Sequence, residues 1–273
     1  MKTPYKYFTI DDATYAYTIA GKGEPLVLLH GFTGSHQTWE ECIKTWENDY
    51  KVISLDLPGH GRTKIQSIRT MRMFCTDLNY FLKELTIDKA HILGYSMGGR
   101  VALSFAIQYP EKVRTLMLES ASPGLKTAKE RMERQRQDAI LAEQILKNGI
   151  VRFVNDWENI PLFETQKQLK PVIREKIRQE RLSQSPQGLA DALRYMGTGT
   201  QPSNWGKLQE LLMPVLLIVG RFDEKFIQTN QRMQQGVRDA ELRIIEQAGH
   251  CIHVEQPEKF VKMVMEFMEE NYT

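Results

Sequence analysis

Cysteine is scarce in this 273-residue chain: Cys42, Cys75 and Cys251 are odd in number and none stands in C-x-x-C spacing. That excludes a disulfide framework and a zinc ribbon, and it fits a reducing compartment. Long apolar runs are missing too. None nears the ~18 residues of a spanning helix, and the opening Met1-Lys2-Thr3-Pro4-Tyr5 has no apolar signal core, so a cytoplasmic protein without a membrane partner is expected. Neither sign of charge dominates. With 36 Lys and Arg against 34 Asp and Glu the net charge is +2, which gives no case for nucleic acid. His30, His60 and His250 lie apart, without ligand spacing, so no metal and no cofactor are expected. There is no internal repeat and no low-complexity tract. What remains is a chain long enough for one large domain, or for a core domain carrying an inserted subdomain.

Apolar and polar residues alternate over 6–10 and 14–19 around Asp11-Asp12, the pattern of an antiparallel hairpin with one wet face. The continuous apolar runs at 25–29, 52–55, 91–93, 113–118 and 215–219 read instead as strands buried on both faces. Helices are predicted between them, including one over 70–85 with Phe74, Leu78, Phe81, Leu82 and Leu85 at helical spacing. Ser35 or Thr38 is placed to cap another, which carries Trp39, Ile43 and Trp46. A helix near 228–237, a strand over 242–245 and a closing helix from Pro257 complete the pattern. Strand alternating with helix implies an α/β fold with a mostly parallel, doubly wound sheet. The rhythm breaks at 122–209, a polar stretch rich in Arg and Gln with no apolar strand run. We read it as a helical cap inserted into a core made of 1–121 and 210–273.

The chain is organised around Gly94-Tyr95-Ser96-Met97-Gly98, which follows a predicted strand and opens a predicted helix. This G-x-S-x-G pattern is a nucleophile elbow, a strained strand-to-helix turn that lifts the serine Oγ above the sheet edge. Folds that use it order the triad serine, acid, histidine. Asp223 follows the strand at 215–219 and His250 follows the one at 242–245, so both belong on the same rim as Ser96. His250 is placed to take the Ser96 proton and Asp223 to hold the imidazole in the useful tautomer. Glu224 and His253 are the nearest competitors, and His253 sits in an apolar lead-in that suits a packed residue. The amides of Met97 and Phe32 are the expected oxyanion hole, since they follow the nucleophile and the 25–29 strand.

Arg100 departs from a plain esterase. A cation one turn into the elbow helix opposes the helix dipole, at about 0.3–1 kcal/mol. An anionic substrate would justify it; a salt bridge to a cap carboxylate is the alternative.

The elbow with its arginine, Glu119-Ser120-Ala121-Ser122-Pro123-Gly124-Leu125, the cap run from Glu130 to Arg136, Asp156-Trp157, Pro161-Leu162-Phe163, Arg181 ahead of Gly188-Leu189-Ala190, Gly220 to Phe226, and Ala248-Gly249-His250 go together. They resemble the menaquinone-pathway synthases of the α/β-hydrolase superfamily, which make 2-succinyl-6-hydroxy-2,4-cyclohexadiene-1-carboxylate. The resemblance covers nearly the whole chain; the elbow arginine and cap motifs are its specific part. It implies a lyase acting on a small-molecule tricarboxylate. Ser96, activated by His250 and Asp223, would remove a ring proton, pyruvate would leave, and the oxyanion hole would hold the enolate of the succinyl ketone. It maps substrate-binding roles onto Arg100, Arg134 and Arg181, and onto the aromatics Tyr95 and Trp157. Three arginines suit three carboxylates, because guanidinium pairs bidentately with carboxylate. The residues at 120–122 depart from other members, which bears on the pocket lining there. A monomer or weak homodimer is expected.

Two other functions use the same residues differently. A carboxylesterase or carbon–carbon bond hydrolase would pass through an acyl-enzyme at Ser96, and a small-molecule receptor would keep the triad with incidental turnover. One fold hosts all three.

Overall fold

The computed structural model describes residues 4–271. Met1–Thr3, part of the stretch without an apolar signal core, lies outside them. Strands β1 (Lys6–Ile10) and β2 (Ala13–Ala20) form the antiparallel hairpin, and β3 (Glu24–Leu29) follows the turn after it. Ser35 caps the 3-10 turn His36–Trp39, which runs into α1 (Glu40–Trp46). Next come β4 (Tyr50–Leu55), the two-residue β5 (Lys64–Ile65), α2 (Met71–Glu84), β6 (Ala90–Tyr95), α3 (Met97–Gln108) and β7 (Val113–Glu119). Between β7 and the next strand every element is helical: α4 (Ala128–Trp157), the 3-10 stretch Pro161–Gln168, α5 (Pro171–Leu182), α6 (Pro186–Met196) and the 3-10 turn Trp205–Glu210. The chain ends with β8 (Val215–Gly220), α7 (Glu224–Gly236), β9 (Ala240–Ile245), the short α8 (Ile252–Glu255) and α9 (Pro257–Glu270).

The strands form one sheet in the order β1-β2-β4-β3-β6-β7-β8-β9, with β5 on β2, and every pair from β4 to β9 is parallel. Strands buried on both faces need covering on both, and two apolar layers supply it. Phe74, Leu78, Phe81, Val101 and Phe105 of α2 and α3 pack one face. Trp39, Trp46, Phe260, Val264 and Phe267 pack the other. A third cluster lies away from the sheet, where Ala142, Ile145, Phe153 and Val154 of α4 meet Leu189, Ala190 and Leu193 of α6. α4 is broken at Gly149, whose φ of +77° a side chain would disfavour.

Several boundaries differ from the sequence reading: β4 starts at Tyr50 and β6 runs on to Tyr95, each two residues beyond the apolar run, and α7 and β9 start earlier. α7 starts at Glu224, not near Gln228, because the helix begins directly after Asp223, whose carboxylate is engaged elsewhere and gives no side-chain cap. β9 starts at Ala240, since pairing with β8 extends it over two half-buried residues. Among the described residues no helix is long and apolar enough to cross a membrane.

Candidate active site

β3, β6, β8 and β9 run parallel, so the loops after them gather at one edge of the sheet. Ser96 stands at the turn from β6 to α3 with φ +50° and ψ −105°, conformational space that serine rarely adopts. Close approach explains the flanking glycines. A Cβ on Gly94 would lie 2.4 Å from the Gly98 carbonyl oxygen, and one on Gly98 would lie 2.0 Å from that of Leu29. The turn is pinned by the Ser96 amide donating to the Glu119 carbonyl at 2.8 Å, and by the Arg100 amide donating to that of Ser96 at 3.0 Å.

The triad assembles as its strand-end positions imply. His250 Nδ1 lies 2.6 Å from Asp223 Oδ2, and His250 Nε2 lies 3.1 Å from Ser96 Oγ. With Nδ1 donating to the carboxylate, Nε2 is free to accept the serine proton. Glu224 is exposed at the first turn of α7. His253 is buried and hydrogen-bonded to Glu119 through both its amide and Nδ1, a packed residue as expected. The His250 loop is held by Glu255, which accepts from the Gly249 amide at 2.6 Å, and by Cys251, whose Sγ lies 2.6 Å from Tyr95 Oη. The residue before the nucleophile thus touches the residue after the histidine.

Ser96, His250, Phe32 and Met97 border a cavity of about 410 Å³. Neither the Phe32 nor the Met97 amide has an acceptor among the described residues, which suits an oxyanion hole. Arg100 lines the same cavity. It is 8% exposed, and its Nη1 donates to two neutral oxygens, those of Met196 (3.0 Å) and Gln201 (3.1 Å). It forms no ion pair among the described residues, so the salt-bridge alternative fails. Burial, reinforced by nearby Arg134, lowers its pKa to about 10 against the pull of Asp138. Arg134 also lines the cavity, with Nε 2.7 Å from the buried Asp138 carboxylate. Trp157, at the end of α4, packs on Phe32 with ring centroids 5.5 Å apart, and its buried Nε1 has no acceptor among the described residues. Tyr95 is buried, with its ring 5.5 Å from that of His250.

Arg181 stands apart. It is buried at the end of α5, lies over the Phe163 ring at 4.6 Å and donates to Gln166 Oε1 at 3.0 Å. It lines an adjoining cavity of about 940 Å³, which shares Phe32, Tyr95 and Phe163 with the first but not Ser96. α5 packs on α4 and on the 3-10 turn His36–Trp39, and with α1 and α9 it lines this cavity, a placement set by tertiary contacts that motif spacing cannot convey.

Other residues of the Ser96 cavity were given no site role by the sequence reading. Ser120, one of the residues at 120–122 that bear on the pocket lining, stands at φ +48° beyond β7 and has a buried Oγ without a partner among the described residues. Lys225, Phe226, Thr229 and Arg232 of α7 also line it, with Lys126 and Trp205. Their i, i+1, i+4, i+7 spacing was a usable signal, obscured by starting the helix too late. Among the described residues no group of three or more His, Cys, Asp or Glu could hold a metal ion.

A family profile described as the alpha/beta hydrolase fold matches residues 24–257. A Bacillus subtilis (strain 168) protein, provisionally named a 2-succinyl-6-hydroxy-2,4-cyclohexadiene-1-carboxylate synthase, is 44% identical over 268 residues, spanning 95% of this chain and 97% of its own. The solved structure of MenH from S. aureus matches with a TM-score of 0.91 at 38% identity, covering 95% of this chain and 99% of that one. A malate-bound thermophilic esterase from Thermogutta terrifontis matches with a TM-score of 0.86 at 27% identity, covering 99% of this chain and all (100%) of its own. By profile and by full-length identity, the chain belongs to the α/β-hydrolase fold family and, within it, to the 2-succinyl-6-hydroxy-2,4-cyclohexadiene-1-carboxylate synthases.

Proposed function

We propose that this chain eliminates pyruvate from 2-succinyl-5-enolpyruvyl-6-hydroxy-3-cyclohexene-1-carboxylate, giving 2-succinyl-6-hydroxy-2,4-cyclohexadiene-1-carboxylate in menaquinone biosynthesis. Ser96 is the base. His250 takes the hydroxyl proton as Ser96 Oγ removes the ring proton next to the succinyl ketone. The electrons pass into the carbonyl as an enolate, which the Phe32 and Met97 amides stabilise. They then return through the ring: a C2–C3 double bond forms, the C3–C4 double bond shifts to C4–C5, and the C5–O bond to the enolpyruvyl group breaks, its electron pair leaving with the pyruvate enolate. The pyruvate enol oxygen or carbon recovers a proton from His250, so no redox partner is needed. Arg100 and Arg134 hold substrate carboxylates, and the unpartnered Trp157 Nε1 and Ser120 Oγ supply further donors.

The observation that carries this reading over ester hydrolysis is Arg100. A buried guanidinium with no carboxylate in ion-pair contact, its nearest one (Asp138) being paired with Arg134, is costly to keep, and an anionic substrate beside Ser96 supplies the missing charge. The test is pyruvate release from the enolpyruvyl acid, followed with a coupled lactate dehydrogenase. Pyruvate formed stoichiometrically with loss of substrate supports the lyase. A trapped acyl-enzyme on a small ester, with no pyruvate from the acid, supports the hydrolase instead. The same reading takes 122–209 as a cap on a core of 1–121 and 210–273, and places a monomer or weak homodimer in the cytoplasm. Light scattering and fractionation test those two points.

A further inference from the structure

Three cations on the rim of the Ser96 cavity take no part in the triad. Lys126 precedes α4, and Lys225 and Arg232 lie on α7. Spacing of four and three residues places Lys225, Thr229 and Arg232 on one face of that helix, and all three line the cavity. Lys126 Nζ is 4.6 Å and Arg232 Cζ is 5.0 Å from the centroid of the Trp205 ring. Trp205 is fixed in turn, its Nε1 donating to the Gly124 carbonyl at 2.8 Å.

Charge balance makes the arrangement unusual. All three cations are exposed, yet none forms an ion pair among the described residues, whereas Arg221 and Arg243 at the same end of the chain are paired with Glu246 and Glu241. The cavity's wall holds five Lys and Arg against one carboxylate, Glu130, and that carboxylate is occupied by the amide and hydroxyl of Thr127. Two cations drawn to one ring repel each other, and exposed cation–π contacts are weak. An anion between them offsets the repulsion and finds free N–H donors. The indole meanwhile keeps both side chains near their bound positions, so less rotamer freedom is lost on binding.

Building on the lyase reading, we propose that Lys126, Trp205 and Arg232, with Lys225 beside them, form an outer carboxylate subsite. It receives the carboxylate of one side arm of the substrate while Arg100 holds another carboxylate beside Ser96. Arg181 lies in the adjoining cavity, so the cations around Ser96 must serve the whole trianion. Exposed charges at a cavity rim also raise the local concentration of an anionic substrate, an effect that salt screens.

The test uses the double variant Lys126→Gln/Arg232→Gln and the single variant Lys225→Gln. Steady-state pyruvate release should show KM raised roughly tenfold in the double variant with kcat within about twofold, and a shallower fall of kcat/KM with ionic strength. Methyl esters of the succinyl and enolpyruvyl carboxylates identify the arm: esterifying the one held here should impair wild type but add little to the loss in the double variant. Calorimetric titration of tricarballylate into the Ser96→Ala protein, with and without the two Gln substitutions, reads the subsite without turnover and should show binding weakened roughly tenfold. Unchanged KM, salt dependence and tricarballylate affinity in the double variant overturn the subsite while leaving the lyase intact. Absence of pyruvate from wild type overturns the lyase, and the tricarballylate titration still decides the subsite.

Discussion

At the scale of the residue, Ser96 combines strain and chemistry. Its φ of +50° is held by the turn around it, at a cost of order 1–3 kcal/mol. Glycine tolerates that conformation and alanine does not. Ser96→Gly should therefore be more stable than Ser96→Ala by about 1 kcal/mol in urea denaturation, with both inactive; equal stabilities would mean the turn is relaxed. Ser96→Ala, Asp223→Asn and His250→Ala should each cut pyruvate release by about three orders of magnitude or more. Because the three act as one unit, Ser96→Ala/His250→Ala should lose little beyond either single variant, and a multiplicative loss would mean that they act separately. The triad was legible in the sequence because each member ends a strand, and strand ends follow from local pattern. Arg181 and Trp205 were not legible in the same way: what they face depends on how segments far apart in the chain converge. Ser120 was marked only as part of a stretch bearing on the pocket lining; its positive φ was not legible, since at serine that is imposed by the surroundings.

At the scale of the element, the sheet was readable because burial on both faces leaves unbroken apolar runs, while a two-residue strand such as β5 leaves none. The helical stretch after β7 was recognisable only by the lack of such runs. Its attachment to the sheet rests on contacts that pattern cannot express. Gln166, in the 3-10 stretch before α5, accepts from Arg181 Nη2 through Oε1 and donates to Cys251 Sγ at 2.9 Å through Nε2. Cys251 meets Tyr95, so this amide joins the helical segment to both sides of the Ser96–His250 pair. Gln166→Leu leaves buried groups unpaired, a cost of about 1–3 kcal/mol. Hydrogen exchange should rise selectively over 161–182, and kcat should fall more than KM rises. Exchange that rises uniformly through the sheet would mean that the clasp is ordinary core packing.

At the scale of the whole molecule, buried histidines tie acid stability to the catalytic edge. His30 Nδ1 donates to the Gly31 carbonyl and its Nε2 accepts from the Leu57 amide. His60 Nδ1 donates to the Pro58 carbonyl and its Nε2 accepts from the Thr33 amide. Both rings are therefore neutral and already engaged at each nitrogen, and they flank the loop that carries the Phe32 amide. Burial lowers the His30 pKa to about 4 and that of His60 to about 3. The unfolded chain takes up these protons near pH 6.5 and the folded chain does not. Their contribution to stability is complete above pH 6.5 and is lost as the pH falls toward 4. Urea midpoints should drop between pH 7.5 and pH 5, and a flat profile would contradict the pairing. The central claim, that the buried charge of Arg100 serves an anionic substrate beside the base, is tested most directly by measuring pyruvate release from the enolpyruvyl acid alongside hydrolysis of a neutral aryl ester in wild type, Arg100→Ala and Arg100→Lys. A carboxylate left unpaired in a buried site costs about 2–5 kcal/mol. Arg100→Ala should then lower kcat/KM for the acid by roughly two to three orders of magnitude or more. Arg100→Lys should recover only part, for want of the bidentate fork, and slow ester hydrolysis should be the same in all three. Pyruvate release by Arg100→Ala at the wild-type rate would contradict it.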